Sequence, residues 1–419
     1  MLSRQSSRGP GRPGVALVKV LICLPVIIGI VAINLDGGRM LEERRRAQTT
    51  ADAAALAAAA NLYTNWWTNQ GTDPNGTAVA AAIQSAAANG YPASAVTVNI
   101  PPTSGSYAGQ LGNVEVLIDT TLAASFGQIF TGSGMQVGAR SVARGQPLQI
   151  GIILLQSSGA ATFNNSAALF ALVNKPLIVN SSDPAAFQSS GLVLASISWI
   201  DVTGGVSNSS LLTLSGQIHT GVSPTLDPLA YLPIPDATSV PLRSSTPLTI
   251  NLVLPTTLQP GLYQGGIHVT GLSTVLMSPG VYIMQGGGFI VDELATVTGL
   301  GVMVYNGTST TYAAGPIQIS GGGKLVMTAP LSGTYQGINF FQQRNLSQPV
   351  SVTGLGLTTM TGVVYAARAP VNLTGSAAVG LDILGGAYVA NSMTVTGIGA
   401  VTINLGLNPP RVPDVRVVE

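Results

Sequence analysis

Charge is the property that this sequence has least of. Lys, Arg, Asp and Glu together make up 8% of the 419 residues, against about 25% in an average soluble domain, and the net charge is +1. Such a chain has no positive field to attract nucleic-acid phosphates, so DNA or RNA binding is excluded as its main function. Disorder is also excluded, because 46% of the residues are hydrophobic and the apolar runs recur regularly.

Cysteine and histidine are nearly absent. Cys23 is the one cysteine, and His219 and His268 are the two histidines. A single thiol forms no internal disulfide, so the sequence carries no information on the redox compartment. The histidines are far apart in the chain and have no acidic or cysteine neighbours in the sequence, so we interpret them as structural. No metal site and no cofactor is predicted.

The longest apolar run is 15–35, which is strictly apolar except for Lys19, Pro25, Gly29 and Asn34. About 20 such residues form a helix that crosses the hydrocarbon core of a bilayer. The run is longer than the core of a cleaved secretion signal, and no small-x-small cleavage site follows it. We therefore predict a transmembrane helix, preceded by a cytoplasmic tail at residues 1–14. Arginines flank the run on both sides, so charge counting alone leaves the orientation open.

An alanine-rich helix is predicted over residues 36–70, with a loosening at Asp36-Gly37-Gly38. Four small residues recur at helical spacing and form one flat face: Ala47, Ala51, Ala54 and Ala58. A strip of methyl groups lets another backbone approach closely, as between membrane helices. This face is therefore predicted to dock against the helix of a pilin-like partner.

A small α+β domain is predicted at residues 71–147. Thr77–Ala88 has the pattern of a second alanine-rich helix, closed by Asn89-Gly90. Alternating apolar residues predict three strands, at Ala95–Ile100, Asn113–Asp119 and Met135–Val142. A long N-terminal helix followed by a small helix-and-sheet unit is the layout of pilin-type subunits.

The N-terminal segment carries a specific motif. The apolar span is followed by Asp36 and Gly38, and then by Arg45, Gln48 and the run Ala51-Asp52-Ala53-Ala54-Ala55-Leu56-Ala57. From Gly14 to Ala57 this arrangement resembles the N-terminal domain of TadG-like Flp pilus-assembly proteins. The resemblance implies a cytoplasmic N-terminus, later domains outside the bacterial inner membrane, and a role in Flp pilus or tight-adherence assembly with other pilin-like proteins.

Two positions depart from the family pattern. Pilin-like precursors are often cut after a glycine and carry glutamate at the fifth position beyond it, whereas Gly14 is followed at that position by Lys19. Many family members carry a von Willebrand A domain with an Asp-x-Ser-x-Ser metal motif, whereas Leu155-Gln156-Ser157-Ser158-Gly159 has no aspartate. These departures argue against processing at Gly14 and against a metal-binding domain.

Residues 148–407 repeat a short pattern. Each unit has a glycine, a strand with an aromatic residue, a loop, and a strand that ends in Thr-Gly or Ser-Gly; the last two units begin at Gly362 and Gly386. Repeats of about 20–25 residues without helices predict a right-handed parallel β-helix, whose stacked coils bury their inward side chains. The alternative is a β-sandwich, but it needs longer strands and hairpin turns that are scarce here.

A stack of coils has open ends that need protection. The small α+β domain is the candidate cover for the first coil. Residues 408–419 are predicted to be a C-terminal tail, which either covers the last coil or leaves it. The whole chain is thus a multidomain protein with an N-terminal transmembrane and pilin-like helix, a small α+β unit and an all-β solenoid.

Aromatic residues recur at equivalent places in the repeats. Tyr282, Tyr305, Tyr365 and Tyr388 are candidates for a row that binds surface glycans, because sugar rings stack on aromatic faces. The alternative is an aromatic ladder inside the coils. The sequence does not decide between these two interpretations.

Parallel β-helices also host glycosidases and polysaccharide lyases, which need paired carboxylates or an acidic calcium site. The repeats contain few acids, and Asp292-Glu293 is their one adjacent pair. Asp227 and Asp236 lie in a proline-rich loop and are interpreted as turn residues. We therefore predict no catalytic residues and a non-enzymatic, membrane-anchored component of Flp pilus assembly. The alternatives are a membrane-tethered carbohydrate-active enzyme and a surface adhesin that binds glycans.

Overall fold

The chain folds into two compact units. Unit 1 comprises Met1–Gln146 and Pro413–Glu419, and unit 2 comprises Pro147–Val412. The computed structural model describes residues 13–123, 134–147, 151–167, 169–173, 175–196, 199–207, 218–354, 358–375, 382–383, 386–398, 400–404 and 412–419.

Unit 1 begins with α1, one continuous helix over Pro13–Thr64. The predicted loosening at Asp36-Gly37-Gly38 is wrong, because the helix runs through both glycines. Each glycine costs a helix only about 1 kcal/mol relative to alanine, which the long flanking helical segments tolerate. The two halves of α1 differ in environment: the described side chains from Val18 to Ile30 are largely exposed, whereas Ala47 to Leu62 includes a fully buried stripe.

Two short helices and an antiparallel sheet complete unit 1. The helices are α2 (Trp66–Asn69) and α3 (Thr77–Ala88), and the strands are β1 (Val96–Asn99), β2 (Asn113–Leu122) and β3 (Met135–Pro147). The carboxylate of Asp73 accepts hydrogen bonds from the backbone N–H groups of Thr77, Ala78 and Val79, so it caps α3. The predicted bounds of α3 are confirmed.

The fourth strand of this sheet is Pro413–Val417, which follows β3 in the order. After this strand, Val418 and Glu419 form backbone hydrogen bonds with Val142 of β3. The prediction that residues 408–419 are a tail is therefore wrong for residues 413–419, which form a strand of the unit 1 sheet and the segment that follows it. Val415 of this strand packs against the core of unit 1, a contact that a solvated tail lacks.

Unit 2 is a parallel β-solenoid of about ten turns, as predicted. Its described strand pairings are all parallel, which excludes the β-sandwich. The coils have three faces. Face A is formed, in stacking order, by Leu242–Ser244, Gly261–Gln264, Gly280–Gln285, Val302–Gly307, Ile338–Gln342, the first parts of Val363–Gly375 and Ala387–Gly397, Ile152–Leu154, Leu177–Val179, Ile200–Val202 and Ile218–Thr220.

Faces B and C follow face A around each coil. Face B consists of Leu248–Ile250, Ile267–Val269, Phe289–Val291, Ile317–Ile319, Val350–Gly354, the later parts of Val363–Gly375 and Ala387–Gly397, Phe163–Asn165, Phe187–Ser189 and Val206–Ser207. Face C has two sheets. The first consists of Thr256–Leu258, Thr274–Met277, Thr296–Gly299, Lys324–Met327 and Thr359–Met360. The second consists of Asp382–Ile383, Ala400–Asn404, Leu169–Val173 and Leu192–Ser196.

The coils are not stacked in chain order. The first strand of unit 2, Ile152–Leu154, lies between two neighbours: Leu177–Val179 on one side and the late segment Tyr388–Ala390 on the other. We call the junction of Ile152–Leu154 with Tyr388–Ala390 the seam. The first coil of the sequence is therefore in the interior of the stack, so the expectation that it is an open end needing a cover is wrong.

A long connection makes this order feasible. Residues 221–241, which we call the strap, join the strand Ile218–Thr220 at one end of the stack to Leu242–Ser244 at the other. Ten steps of about 4.8 Å between neighbouring strands span about 48 Å. An extended chain of this length reaches about 70 Å at about 3.3 Å per residue, so the strap covers the distance with slack.

Candidate functional site

The alanine face of α1 is fully buried inside unit 1. Ala47, Ala51, Ala54 and Ala58 are each 0% exposed. They belong to one cluster with alanines of α3 and apolar residues of the sheet, among them Ala78, Ala82, Ala86, Val114, Val116 and Ile118. The prediction that this face docks against a partner protein is wrong, because the chain's own α3 and sheet occupy it. The methyl strip allows close packing, but within the unit.

The first half of α1 has no such cover. Leu21 and Ile22 are each 66% exposed, and Val20, Val26 and Ile27 are more than half exposed. Apolar side chains exposed on every side of a helix are costly in water. The helix is long and apolar enough to cross a membrane. Cys23 is an exposed residue of this half.

The four tyrosines singled out in the repeats are buried, with Tyr305 at 5% exposure and the others at 0%. The prediction that they bind glycans is wrong, because a sugar has no access to their rings. They also do not form one row. Tyr282 is paired with Val304, whereas Tyr305 is paired with Ile283, so the two tyrosines are offset by one residue and point to opposite sides of face A.

The two sides of face A bury different tyrosines. Tyr282 and Tyr388 belong to the core inside the coils. Tyr305 and Tyr365 belong to a second cluster outside face A, to which the strap contributes Leu229 and Leu232. The internal-ladder interpretation therefore holds for the first pair, while the second pair lies beneath the strap.

A polar latch fixes the strap to face A. The hydroxyl of Tyr365 donates a hydrogen bond to Asp227 Oδ2 at 2.6 Å and accepts one from Arg344 Nε at 2.9 Å. Arg344 Nη2 also donates to the carbonyls of Leu229 and Leu232, at 3.1 and 2.6 Å. Burial, followed by the nearby Asp227 carboxylate, raises the pKa of Tyr365 well above its ordinary value, so the hydroxyl stays protonated and can donate.

The aspartates of the strap are also turn residues, as interpreted from the sequence. Asp227 Oδ1 accepts from the Leu229 N–H at 2.9 Å, and Asp236 Oδ1 accepts from the Thr238 N–H at 2.8 Å. The latch is a second role of Asp227 that the sequence pattern did not reveal. Its partner Tyr365 is 138 residues away in the chain.

Each histidine of the chain pairs with an aspartate. His219 Nδ1 lies 2.8 Å from Asp201 Oδ1, and His268 Nε2 lies 2.8 Å from Asp292 Oδ2. Sequence analysis missed these pairs because the partners are one coil apart, a separation that no local pattern displays. Asp292 is thus engaged by a histidine, and among the described residues no group of three His, Cys, Asp or Glu side chains is arranged to hold a metal ion.

A cavity of about 580 Å³ opens at the outer corner between faces A and B. Its lining consists of Leu155, Gln156, Ser157, Ser158, Arg344, Ala367, Arg368 and Asn391. The residues come from coils on both sides of the seam. Two guanidinium groups and several neutral hydrogen-bonding side chains line it, and none of the described lining residues carries a carboxylate.

Residues 14–61 match the family model for putative Flp pilus-assembly TadE/G-like proteins. The match confirms the resemblance and coincides with nearly all of α1, which the sequence motif indicated. Neither the curated proteins nor the solved structures include a match to this chain.

Polar residues of the Tad-like segment tie α1 to the rest of unit 1. Gln48 Nε2 donates hydrogen bonds to Asp52 Oδ1 and to the carbonyl of Arg140 on β3, each at 2.9 Å. Arg46 donates to the carbonyl of Asn89 and lies over the ring of Tyr91. Gln48 therefore ties α1 to β3, and Arg46 ties it to the end of α3.

Next to the contact between Gln48 and Arg140, a buried carboxylate on β2 holds the end of β1 and the loop between β1 and β2. Glu115 is fully buried and accepts hydrogen bonds from Asn99, Thr103, Ser104 and Arg140. Burial by itself raises the pKa of Glu115, but these hydrogen bonds outweigh it and hold the pKa well below its ordinary value.

The stability of unit 1 is therefore expected to fall in acid. A carboxylate whose folded pKa is depressed contributes its full stability above the unfolded pKa, about 4.3, and loses that stability as the pH falls further. Glu115→Gln is expected to cost about 1.5–3 kcal/mol at neutral pH and to remove this part of the acid dependence. Thermal unfolding between pH 7 and pH 3 measures both effects.

Asp119→Asn is the matched control, since Asp119 lies on the same strand but is exposed. It should leave the melting temperature and its pH dependence nearly unchanged. An unaltered acid dependence in Glu115→Gln would show that other carboxylates dominate.

Proposed function

We propose that this chain is a membrane-anchored, non-enzymatic component of Flp pilus or tight-adherence assembly that presents its β-solenoid outside the bacterial inner membrane. The proposal is based on the TadE/G-like match at residues 14–61, which covers a single helix whose two halves have different environments. The first half of that helix is apolar and exposed, and the second half is packed into a folded unit.

The engagement of the acids in unit 2 supports a non-enzymatic role. Asp201, Asp227 and Asp292 are held by a histidine, a tyrosine hydroxyl and a histidine, respectively. Hydrolysis of a glycosidic bond needs two carboxylates about 5–10 Å apart, on either side of the substrate. Asp201 and Asp292 each pair with one histidine, and Asp227 accepts hydrogen bonds from the Tyr365 hydroxyl and the Leu229 N–H, an arrangement that suits a rigid scaffold.

Single-cysteine labelling tests the orientation. Cys23→Ser removes the only thiol of the chain. Thr310→Cys then places a thiol at an exposed position of unit 2, and Ser6→Cys places one before the span. In cells with a permeabilised outer membrane, a membrane-impermeant maleimide is expected to label Thr310→Cys at once and Ser6→Cys only after the inner membrane is lysed. The reverse pattern would contradict the proposal.

Three further measurements address the role itself. Deleting the gene is expected to reduce Flp pili on the cell surface, and the full-length chain is expected to cross-link to pilus-assembly components in the membrane. Incubation of the purified chain with polysaccharides is expected to release no new reducing ends or unsaturated products. Release of such products would favour the carbohydrate-active enzyme instead.

A further inference from the structure

The cavity at the seam has the features of a ligand site. Its volume of about 580 Å³ lies within the range of about 300–1,000 Å³ that is typical of small-molecule pockets. Four successive coils contribute to it, through Arg344, Arg368, Asn391 and the segment Leu155–Ser158. Three steps of about 4.8 Å make a recess about 14 Å long, which suits an extended ligand better than a single small ion.

The charge of the recess is positive and only partly compensated. Arg344 is engaged by the Tyr365 hydroxyl, and Asp227 is close behind it in the latch. Arg368 is exposed and has no hydrogen bond or ion pair with the described residues. Guanidinium groups bind carboxylates with short, charge-assisted hydrogen bonds, so the uncompensated Arg368 selects for an anionic group.

The other polar side chains of the recess are neutral, and two of them, Gln156 and Asn391, are held by hydrogen bonds. Gln156 Nε2 donates to the carbonyl of Ser158 at 2.7 Å, and Asn391 Nδ2 donates to Gln156 Oε1 at 3.3 Å across the seam. Ser157 and Ser158 are exposed at the rim. Amide and hydroxyl groups that both donate and accept hydrogen bonds match the hydroxyl groups of a sugar.

We propose that this recess binds an acidic oligosaccharide, a short run of uronic acid residues, with one carboxylate on Arg368 and sugar hydroxyls on the Gln156–Ser158 segment and Asn391. The site differs from the tyrosine row that the sequence suggested. It is formed only at the seam, where an early segment of unit 2 lies beside a late one. The binding goes beyond the assembly role and is measured independently of it, so either can fail alone.

Calorimetric titration of the full-length chain in detergent tests the proposal. Trigalacturonic acid is the probe, and the neutral trisaccharide galactotriose is its uncharged counterpart. The wild type is expected to bind trigalacturonic acid at least tenfold more tightly than galactotriose. Arg368→Gln is expected to weaken binding of the acidic probe about tenfold or more, because the charge-assisted hydrogen bond to its carboxylate is lost. Ser158→Trp, which fills the recess, should weaken binding of both sugars.

Lys324→Gln is the matched control. Lys324 is an exposed cation of face C, so its loss removes the same charge at a distant place. Its binding constant should equal that of the wild type, and all variants should melt at the wild-type temperature. The proposal is overturned by unchanged binding in Arg368→Gln, by an equal loss in Lys324→Gln, by no detectable binding in the wild type, or by inorganic phosphate displacing the trisaccharide at equal concentration.

Discussion

Replacing Ala51 or Ala54 with leucine is expected to destabilise unit 1 by about 1–3 kcal/mol per substitution. Both residues are 0% exposed between α1, α3 and the sheet, and the cluster around them consists largely of alanines. Three extra carbon atoms fit there only if the helices move apart. For a unit of about 150 residues, each kcal/mol lowers the melting temperature by about 2–4 °C.

Ala60→Leu gives the comparison on the same helix, because Ala60 is exposed. Leucine and alanine have similar helix propensities, so this variant should unfold at the wild-type temperature. Loss of pilus assembly in Ala51→Leu or Ala54→Leu then follows from unfolding. Variants that melt normally and still fail to assemble would restore the abandoned idea that the alanine face docks against a partner.

Tyr365→Phe and Tyr388→Phe are expected to have different effects on the stability of unit 2, although both tyrosines are fully buried on neighbouring coils. Loss of the Tyr365 hydroxyl removes a hydrogen-bond partner from both Asp227 and Arg344, which should cost about 1–3 kcal/mol. The Tyr388 hydroxyl is buried and has no hydrogen-bond partner among the described residues. Its removal should leave unit 2 equally stable or more stable, because a buried unsatisfied group is costly.

Thermal unfolding and limited proteolysis together measure this difference. In Tyr365→Phe the strap loses its latch, so cleavage around the exposed residues Leu226 and Tyr231 should become faster. In Tyr388→Phe the cleavage rate should match the wild type. Equal destabilisation by both substitutions would mean that packing of the ring edge, and not the latch, determines the effect.

Local patterns in the sequence predicted most of the individual elements. The bounds of α3 and the first residues of β2 and β3 agree with the prediction, because glycine stops and alternating apolar residues act within a few positions. The parallel solenoid followed from the repeat length, since a single coil has too little core of its own. These features depend on neighbours in the chain, which one sequence displays.

The alanine face shows the limit of that reasoning. Small residues at helical spacing indicate that something packs closely, but not whether it belongs to the same chain. Here α3, only a few residues further on, is itself built of alanines, and its Ala78, Ala82 and Ala86 complete the contact. The pattern of two complementary alanine stripes was the signal that favoured an internal contact.

The positions of the tyrosines and the partners of the histidines depend on the register between neighbouring coils. A shift of one residue moves a side chain from the inside of a strand to the outside, and the spacing of repeats of unequal length does not fix that shift. Tyr282 and Tyr305 therefore looked equivalent but lie on opposite sides of face A. The His–Asp pairs and the latch depend on the same unobservable register, and the recess at the seam depends on coils from the two ends of unit 2.

The seam has a consequence for the newly made protein. Gln156 and its partner Asn391 are separated by 235 residues, which a ribosome adds in about 12–47 s at about 5–20 residues per second. During that interval the first coil presents a row of unpaired backbone groups that invites pairing with any other strand nearby. Correct folding of the newly made chain thus depends on protecting the free edge of Ile152–Leu154 from other strands until Tyr388–Ala390 has been synthesised and pairs with it.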